Sequence, residues 1–106
     1  MSNWINIGHV DDIPRLGARV VPTEQGDIAI FRTADNTVFA LADRCPHRNG
    51  PLSQGIVHGH IITCPLHNWR INLNDGTAIS PDEGCTRSFQ IQVDANGQLF
   101  LDVSLD

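Results

Sequence analysis

Four residues in the middle of this 106-residue chain have the types and spacing to hold metal. Cys45 and His47 lie in Cys45-Pro46-His47, and, after sixteen further residues, Cys64 and His67 lie in Cys64-Pro65-Leu66-His67. Each half offers one thiolate and one imidazole. Two metal chemistries use such a set. A structural zinc ion takes two Cys and two His in a tetrahedron, but its sequence pattern usually groups Cys with Cys and His with His. A two-iron cluster with mixed ligands takes two Cys on one iron and two His on the other, so paired loops that each carry both types reach both irons. The mixed halves favour the two-iron arrangement, with zinc as the competitor during metal loading.

Such ligands need two loops held side by side. Arg44 to Gln54 and Thr63 to Arg70, rich in Pro, Gly, His and Cys, read as those loops. Between them, Gly55 to Ile62 reads as two short strands joined by a tight turn containing Gly. Outside this region strand signals dominate: Trp4 to Gly8, Ala18 to Val21, Ile28 to Thr33, Thr37 to Leu41, Ser88 to Val93 and Gln98 to Val103. In Ser88 to Val93, alternation puts Phe89, Ile91 and Val93 on one face. Ala34-Asp35-Asn36 and Asn96-Gly97 suit hairpin turns, because Asn, Asp and Gly tolerate positive φ. The one helix start, at Asp11-Asp12-Ile13-Pro14, continues for no more than a turn. The expectation is an all-β fold, a single domain over 1–106 with a cluster-binding subdomain at about 43–82.

Composition narrows the function. The chain is 41% hydrophobic and 18% charged, enough apolar content for one core. Seven basic residues, all Arg, face twelve acidic ones for a net charge of −5. That balance argues against a nucleic-acid partner, whose phosphates demand clustered positive charge. No apolar run reaches the roughly 18 residues of a membrane span, and the first residues lack a secretory pattern, so a cytoplasmic protein without a membrane partner is expected. Three cysteines do not make the dense, even framework of a secreted disulfide scaffold.

The pattern Cys-x-His, sixteen residues, Cys-x-x-His resembles the Rieske motif. The resemblance implies a Rieske-type antiparallel β-sandwich carrying one [2Fe-2S] cluster on two loops. Cys45 and Cys64 would hold the inner iron, and His47 and His67 the outer, solvent-facing iron. Further segments resemble the small subunit of assimilatory NAD(P)H-dependent nitrite reductase: Cys45-Pro46-His47-Arg48-Asn49-Gly50-Pro51-Leu52, Gly55-Ile56-Val57-His58-Gly59, Cys64-Pro65-Leu66-His67-Asn68-Trp69 and Pro81-Asp82-Glu83-Gly84-Cys85-Thr86. In that family a large subunit carries flavin, sirohaem and a further iron–sulfur cluster, and reduces nitrite to ammonia. This chain has neither a dinucleotide fingerprint nor a four-Cys sirohaem site, so it is expected to carry electrons without reducing nitrite alone. A Rieske-type ferredoxin serving an aromatic-ring-hydroxylating dioxygenase shares the ligand motif and the size. A non-redox module whose metal only holds loops together is the third reading.

The remaining candidates read more plainly. Arg44, Arg48 and Arg70 flank the ligand loops and suit pairing with carboxylates of the large subunit. Trp69 reads as packing beneath the cluster, and Pro81-Asp82 as a third loop closing over it. Cys85 reads as a small, partly buried hydrophobe. His58 and His60 read as solvent-facing or hydrogen-bonded strand residues, and His9 carries no signal.

Charge sets the expected potential. An oxidised two-iron cluster with two thiolates and two neutral imidazoles is formally uncharged, whereas an all-thiolate cluster is dianionic and harder to reduce. High-potential Rieske proteins add an inter-loop disulfide and Ser and Tyr hydroxyls near the cluster; the matching positions here are Gly50 and Leu66, and Trp69 and Ile71. With fewer donors to stabilise the added electron, the midpoint is expected at the low end of roughly −150 to +300 mV. A redox titration of the purified protein checks this, and a midpoint well above zero contradicts it.

Overall fold

A computed structural model describes residues 4–24, 26–45, 50–65, 68–79 and 84–103. Among these, ten strands form three antiparallel sheets. The first sheet is β1 (Trp4–His9), β10 (Gln98–Asp102) and β9 (Ile91–Val93), with β10 central. The second is ordered β2 (Ala18–Thr23), β3 (Gly26–Arg32), β4 (Val38–Ala42), β8 (Ser88–Phe89). The third is β5 (Ile56–His58), β6 (Ile61–Thr63) and β7 (Arg70–Asn72). Among the described residues, two single 3-10 turns interrupt the β structure, Val10–Asp12 and Leu52–Gln54. No helix is long and apolar enough to cross a membrane among the described residues. The expected all-β fold is observed.

The second sheet is the middle layer, and β3 shows why. Ile28, Ala29, Ile30 and Phe31 are all buried, although side chains alternate between the faces of a strand. Ile28 and Ile30 pack with Ile7, Ile13, Val38, Ala40, Leu99 and Leu101, a core shared with the first sheet. Ala29 and Phe31 pack with Leu41, Leu52, Val57, Ile62, Ile71, Leu73 and both Cys45 and Cys64. A strand covered on both faces reads in sequence as an unbroken apolar run, which is what Ile28-Ala29-Ile30-Phe31 is.

The stretch Ser88 to Val93 departs from the single strand expected. Phe89 pairs with Ala40 in the second sheet, whereas Ile91 pairs with Leu101 in the first. Gln90 is the crossing point, and its carbonyl accepts the Asp102 N–H at 3.0 Å. The segment therefore ties the two sheets together, and Val93 at its far end is 43% exposed. Both expected hairpin turns form: Thr33 N–H donates to Thr37 O at 2.9 Å, and Gly97 N–H to Asp94 O at 3.0 Å.

The Asp35 turn also links layers. Its carboxylate accepts from the Thr33 hydroxyl and from the Thr37 N–H, and lies 3.1 Å from Nε2 of His60 in the β5–β6 turn. The His60 ring stands edge-on to Phe39 at 5.1 Å between centroids. The Thr33 bond foremost, then those from His60 and Thr37, hold the Asp35 carboxyl well below its ordinary value of 3.8. A carboxyl depressed by folding contributes stability that is present above its ordinary value and lost as pH falls through its folded one. Asp35→Asn is therefore expected to lower the melting temperature at pH 7, with the difference from wild type narrowing below pH 3.8 and closing in stronger acid. A difference that stays constant across a pH series of thermal melts contradicts this.

Candidate metal centre

The first candidate loop leaves β4 and returns through the 3-10 turn Leu52–Gln54. Its ends are clamped together. Asp43 Oδ1 accepts the Ser53 N–H at 2.7 Å, and Oδ2 accepts the Ser53 hydroxyl at 2.8 Å. The Asp43 N–H donates in turn to Asp27 O at 2.9 Å, which anchors the clamp to β3. Inside it, Cys45 N–H donates to Gly50 O at 2.7 Å.

The second loop repeats that closure. Cys64 follows β6 directly, and its N–H donates to Trp69 O at 2.7 Å, so in both loops a cysteine N–H reaches the carbonyl five residues on. Asn68 takes a positive φ of 57°, which Asn tolerates better than most residues, and so lets this loop turn back into β7. A third segment braces β7 from outside. Ile79 N–H donates to Arg70 O at 2.8 Å, Ala78 N–H to Gly84 O at 2.9 Å, and Thr77 bridges Cys85. Thr86 N–H donates to Gly76 O at 2.8 Å, and its buried hydroxyl reaches Ala42 O at 3.3 Å, at the root of the first loop.

These loops place Cys45 and Cys64 in one apolar cluster, both fully buried and neither in a disulfide. A lone thiolate in such surroundings would carry a heavy desolvation cost, but bound cations remove it. Two buried sulfurs, each opening a loop that carries a histidine a few residues on, fit a thiolate–imidazole donor set. His47, Arg48 and His67 lie outside the described residues, as do Leu66, Pro81 and Asp82.

The other expectations meet mixed outcomes. Trp69 packs partly buried against the cluster that holds both sulfurs. His58 is exposed and hydrogen-bonded to the Thr63 hydroxyl at 2.7 Å, and His60 bonds to Asp35, so both are the hydrogen-bonded residues expected. Arg44 and Arg70 are exposed. His9 proves structural: Nδ1 accepts the Asp11 N–H at 3.0 Å, and Nε2 lies 2.7 Å from Asn96 O. Cys85 is exposed, not partly buried, because the alternation that turns Thr86 inward turns Cys85 out. Sequence reasoning missed Asp43 and Ser53 as positioning residues; a carboxylate and a hydroxyl ten positions apart follow no periodic pattern.

An all-β domain that seats two buried thiols at the roots of paired loops fits a metal centre of the iron–sulfur class. The chain belongs to the Rieske [2Fe-2S] domain family, whose model matches residues 3–90, and one Rieske-type [2Fe-2S] cluster is its cofactor. It is 33% identical over 97 residues to the 3-phenylpropionate/cinnamic acid dioxygenase ferredoxin subunit of Photorhabdus laumondii, covering 90% of each. A 46-residue stretch, 43% of the chain, is 50% identical to 4beta-methylsterol monooxygenase of Methylococcus capsulatus, but covers only 12% of that much longer protein. Among solved structures, a Mycobacterium tuberculosis protein described as an NADH-dependent nitrite reductase small subunit shares the fold at a TM-score of 0.89 and 19% identity, covering 100% of this chain and 99% of that one. The NirD protein of E. coli matches at 0.83 and 25% identity, covering 99% and 100%.

Two sets of variants test the loop braces. Ser53→Ala removes one donor to Asp43 and is expected to lower stability by about 1–2 kcal/mol and to speed iron loss to a chelator. Gly76 has a φ of 77°, and a Cβ there would overlap the Thr86 carbonyl oxygen, whereas Gly59, at 59°, has open space around it. Gly76→Ala is expected to cost at least about 2 kcal/mol and Gly59→Ala about 1 kcal/mol. Denaturant curves in which the two glycine variants are equal contradict the brace.

Proposed function

We propose that this chain is the electron-transfer small subunit of an assimilatory NAD(P)H-dependent nitrite reductase, working with a large subunit that carries flavin, sirohaem and an iron–sulfur cluster. Its cluster ligands are Cys45 and Cys64 on the inner iron and His47 and His67 on the outer iron, within a cluster-binding subdomain at about 43–82. The cluster, when bound, takes up and releases one electron at a time. The chain's own residues do the rest. Val57, Ile62, Ile71 and Leu52 exclude water from the sulfurs, and Asp43, Ser53 and the two cysteine N–H bonds fix the loops.

The observation that carries this reading is the segment Gly84-Cys85-Thr86. It belongs to the stretch that resembles the nitrite reductase subunit, and it is built into the loop support through Gly76 and Ala42. End-to-end overlap with the Mycobacterium tuberculosis structure described as a nitrite reductase small subunit supports it. The second reading, a ferredoxin for a ring-hydroxylating dioxygenase, draws on the 33% identity to the Photorhabdus ferredoxin subunit.

Reconstitution separates the two. Cluster-loaded chain added to the large subunit of a sirohaem nitrite reductase is expected to be required for full nitrite-dependent NAD(P)H oxidation, and to support no turnover of a dioxygenase with its reductase. Unchanged nitrite-dependent oxidation without the chain, together with dioxygenase turnover in its presence, overturns the proposal in favour of the ferredoxin.

A further inference from the structure

The third sheet buries one face and leaves the other partly exposed, with Ile56, His58 and Arg70 exposed and Ile61, Thr63 and Asn72 half-buried. Val57, Ile62 and Ile71 pair across it in register and sit in the core with the two cysteines. Neighbouring residues point the other way, because successive side chains alternate. They form two outward rows, Ile56–Thr63–Arg70 and His58–Ile61–Asn72. Ile56 is 69% exposed, the most exposed of the large apolar side chains among the described residues.

A single exposed Ile is ordinary on a protein surface. This one differs in its setting. The row Ile56–Thr63–Arg70 lies at the loop end of the sheet: β5 leaves the first loop at Ile56, Thr63 directly precedes Cys64, and Arg70 follows Trp69 out of the second loop. The chain holds twelve acidic residues and a net charge of −5, yet neither row contains a carboxylate. Arg70 makes no ion pair among the described residues. The face is thus apolar at one corner, cationic at another, and set against the loops that carry the redox centre.

We propose that this face docks on a carboxylate-bearing surface of the large subunit, with Ile56 as the apolar anchor and Arg70 as the charged one. The proposal rests on the small-subunit reading and names the contact that reading requires. Charge decides the occupant. The chain is acidic as a whole, but neither outward row carries a carboxylate, so attraction between Arg70 and partner carboxylates also selects the orientation that brings the ligand loops nearest the partner. The rows span about 7 Å along and about 10 Å across the strands, a size that suits the centre of a small, transient redox interface.

The test uses full-length, cluster-loaded chain titrated into the large subunit, with nitrite-dependent NAD(P)H oxidation as the readout. Ile56→Asp and Arg70→Glu are each expected to raise the half-saturating concentration about tenfold. Their reduced-cluster resonance and midpoint potential stay those of wild type, and Arg70→Glu weakens the salt dependence. Val20→Asp, at an exposed apolar position on β2, leaves half-saturation unchanged. Variants that saturate with wild type overturn the docking face and leave the functional reading intact, and so does loss of the cluster signal in both, which would assign the row to loop support. A wild-type chain that gives no activity with the large subunit overturns the functional reading and this face with it.

Discussion

Two cysteine sulfurs buried in one apolar cluster are the constraint around which the rest of this chain is arranged. An apolar interior tolerates thiolate charge only when cations lie against it, so metal and core have to be assembled together. The cysteines enter that interior from loops, and a loop can be buried only if its backbone polar groups find partners. The cysteine N–H bonds to Gly50 and Trp69 meet that need at the residues that turn inward. The layered plan then follows. The middle sheet lends one face of β3, through Ala29 and Phe31, to the sulfur-bearing core, while Ile28 and Ile30 on the other face hold the first sheet.

The same supports bear on electron transfer. A centre that gains and loses charge works best when its surroundings are fixed in advance and shift little between states. Here the first loop is clamped by Asp43 and Ser53, and the segment ending in Thr86 holds β4 against the strand-like stretch beyond β7. His60 and Asp35 pin the hairpin between the loops to the turn of the middle sheet. None of these residues belongs to the proposed ligand set. They keep its frame.

How much of this was legible in the sequence depended on the length scale of each signal. The apolar run at β3, the Asp35 and Asn96-Gly97 turns and the two Cys/His loops all announce themselves within a few neighbouring residues. β7 does not, since three residues with Ile71 as their one apolar member carry no period, and Arg70 reads in sequence as the end of a loop. The split of Ser88 to Val93 is equally silent, because alternation continues unbroken through Gln90 while the pairing partner changes from β4 to β10. For Cys85 residue type favours a buried thiol, whereas its outward direction is set by the buried Thr86 beside it. The Asp43–Ser53 clamp and the contact of Gly76 with Thr86 arise only when the chain folds back on itself.

The most direct measurement of the proposed donor set is low-temperature electron paramagnetic resonance of anaerobically purified, dithionite-reduced protein, with iron, acid-labile sulfide and zinc determined on the same sample. Two sulfur and two nitrogen donors predict a spectrum whose average g lies below the free-electron value and below that of an all-cysteine two-iron cluster, with iron and sulfide in equal amounts. A colourless, silent protein from iron-replete cells that holds one zinc per chain would contradict it.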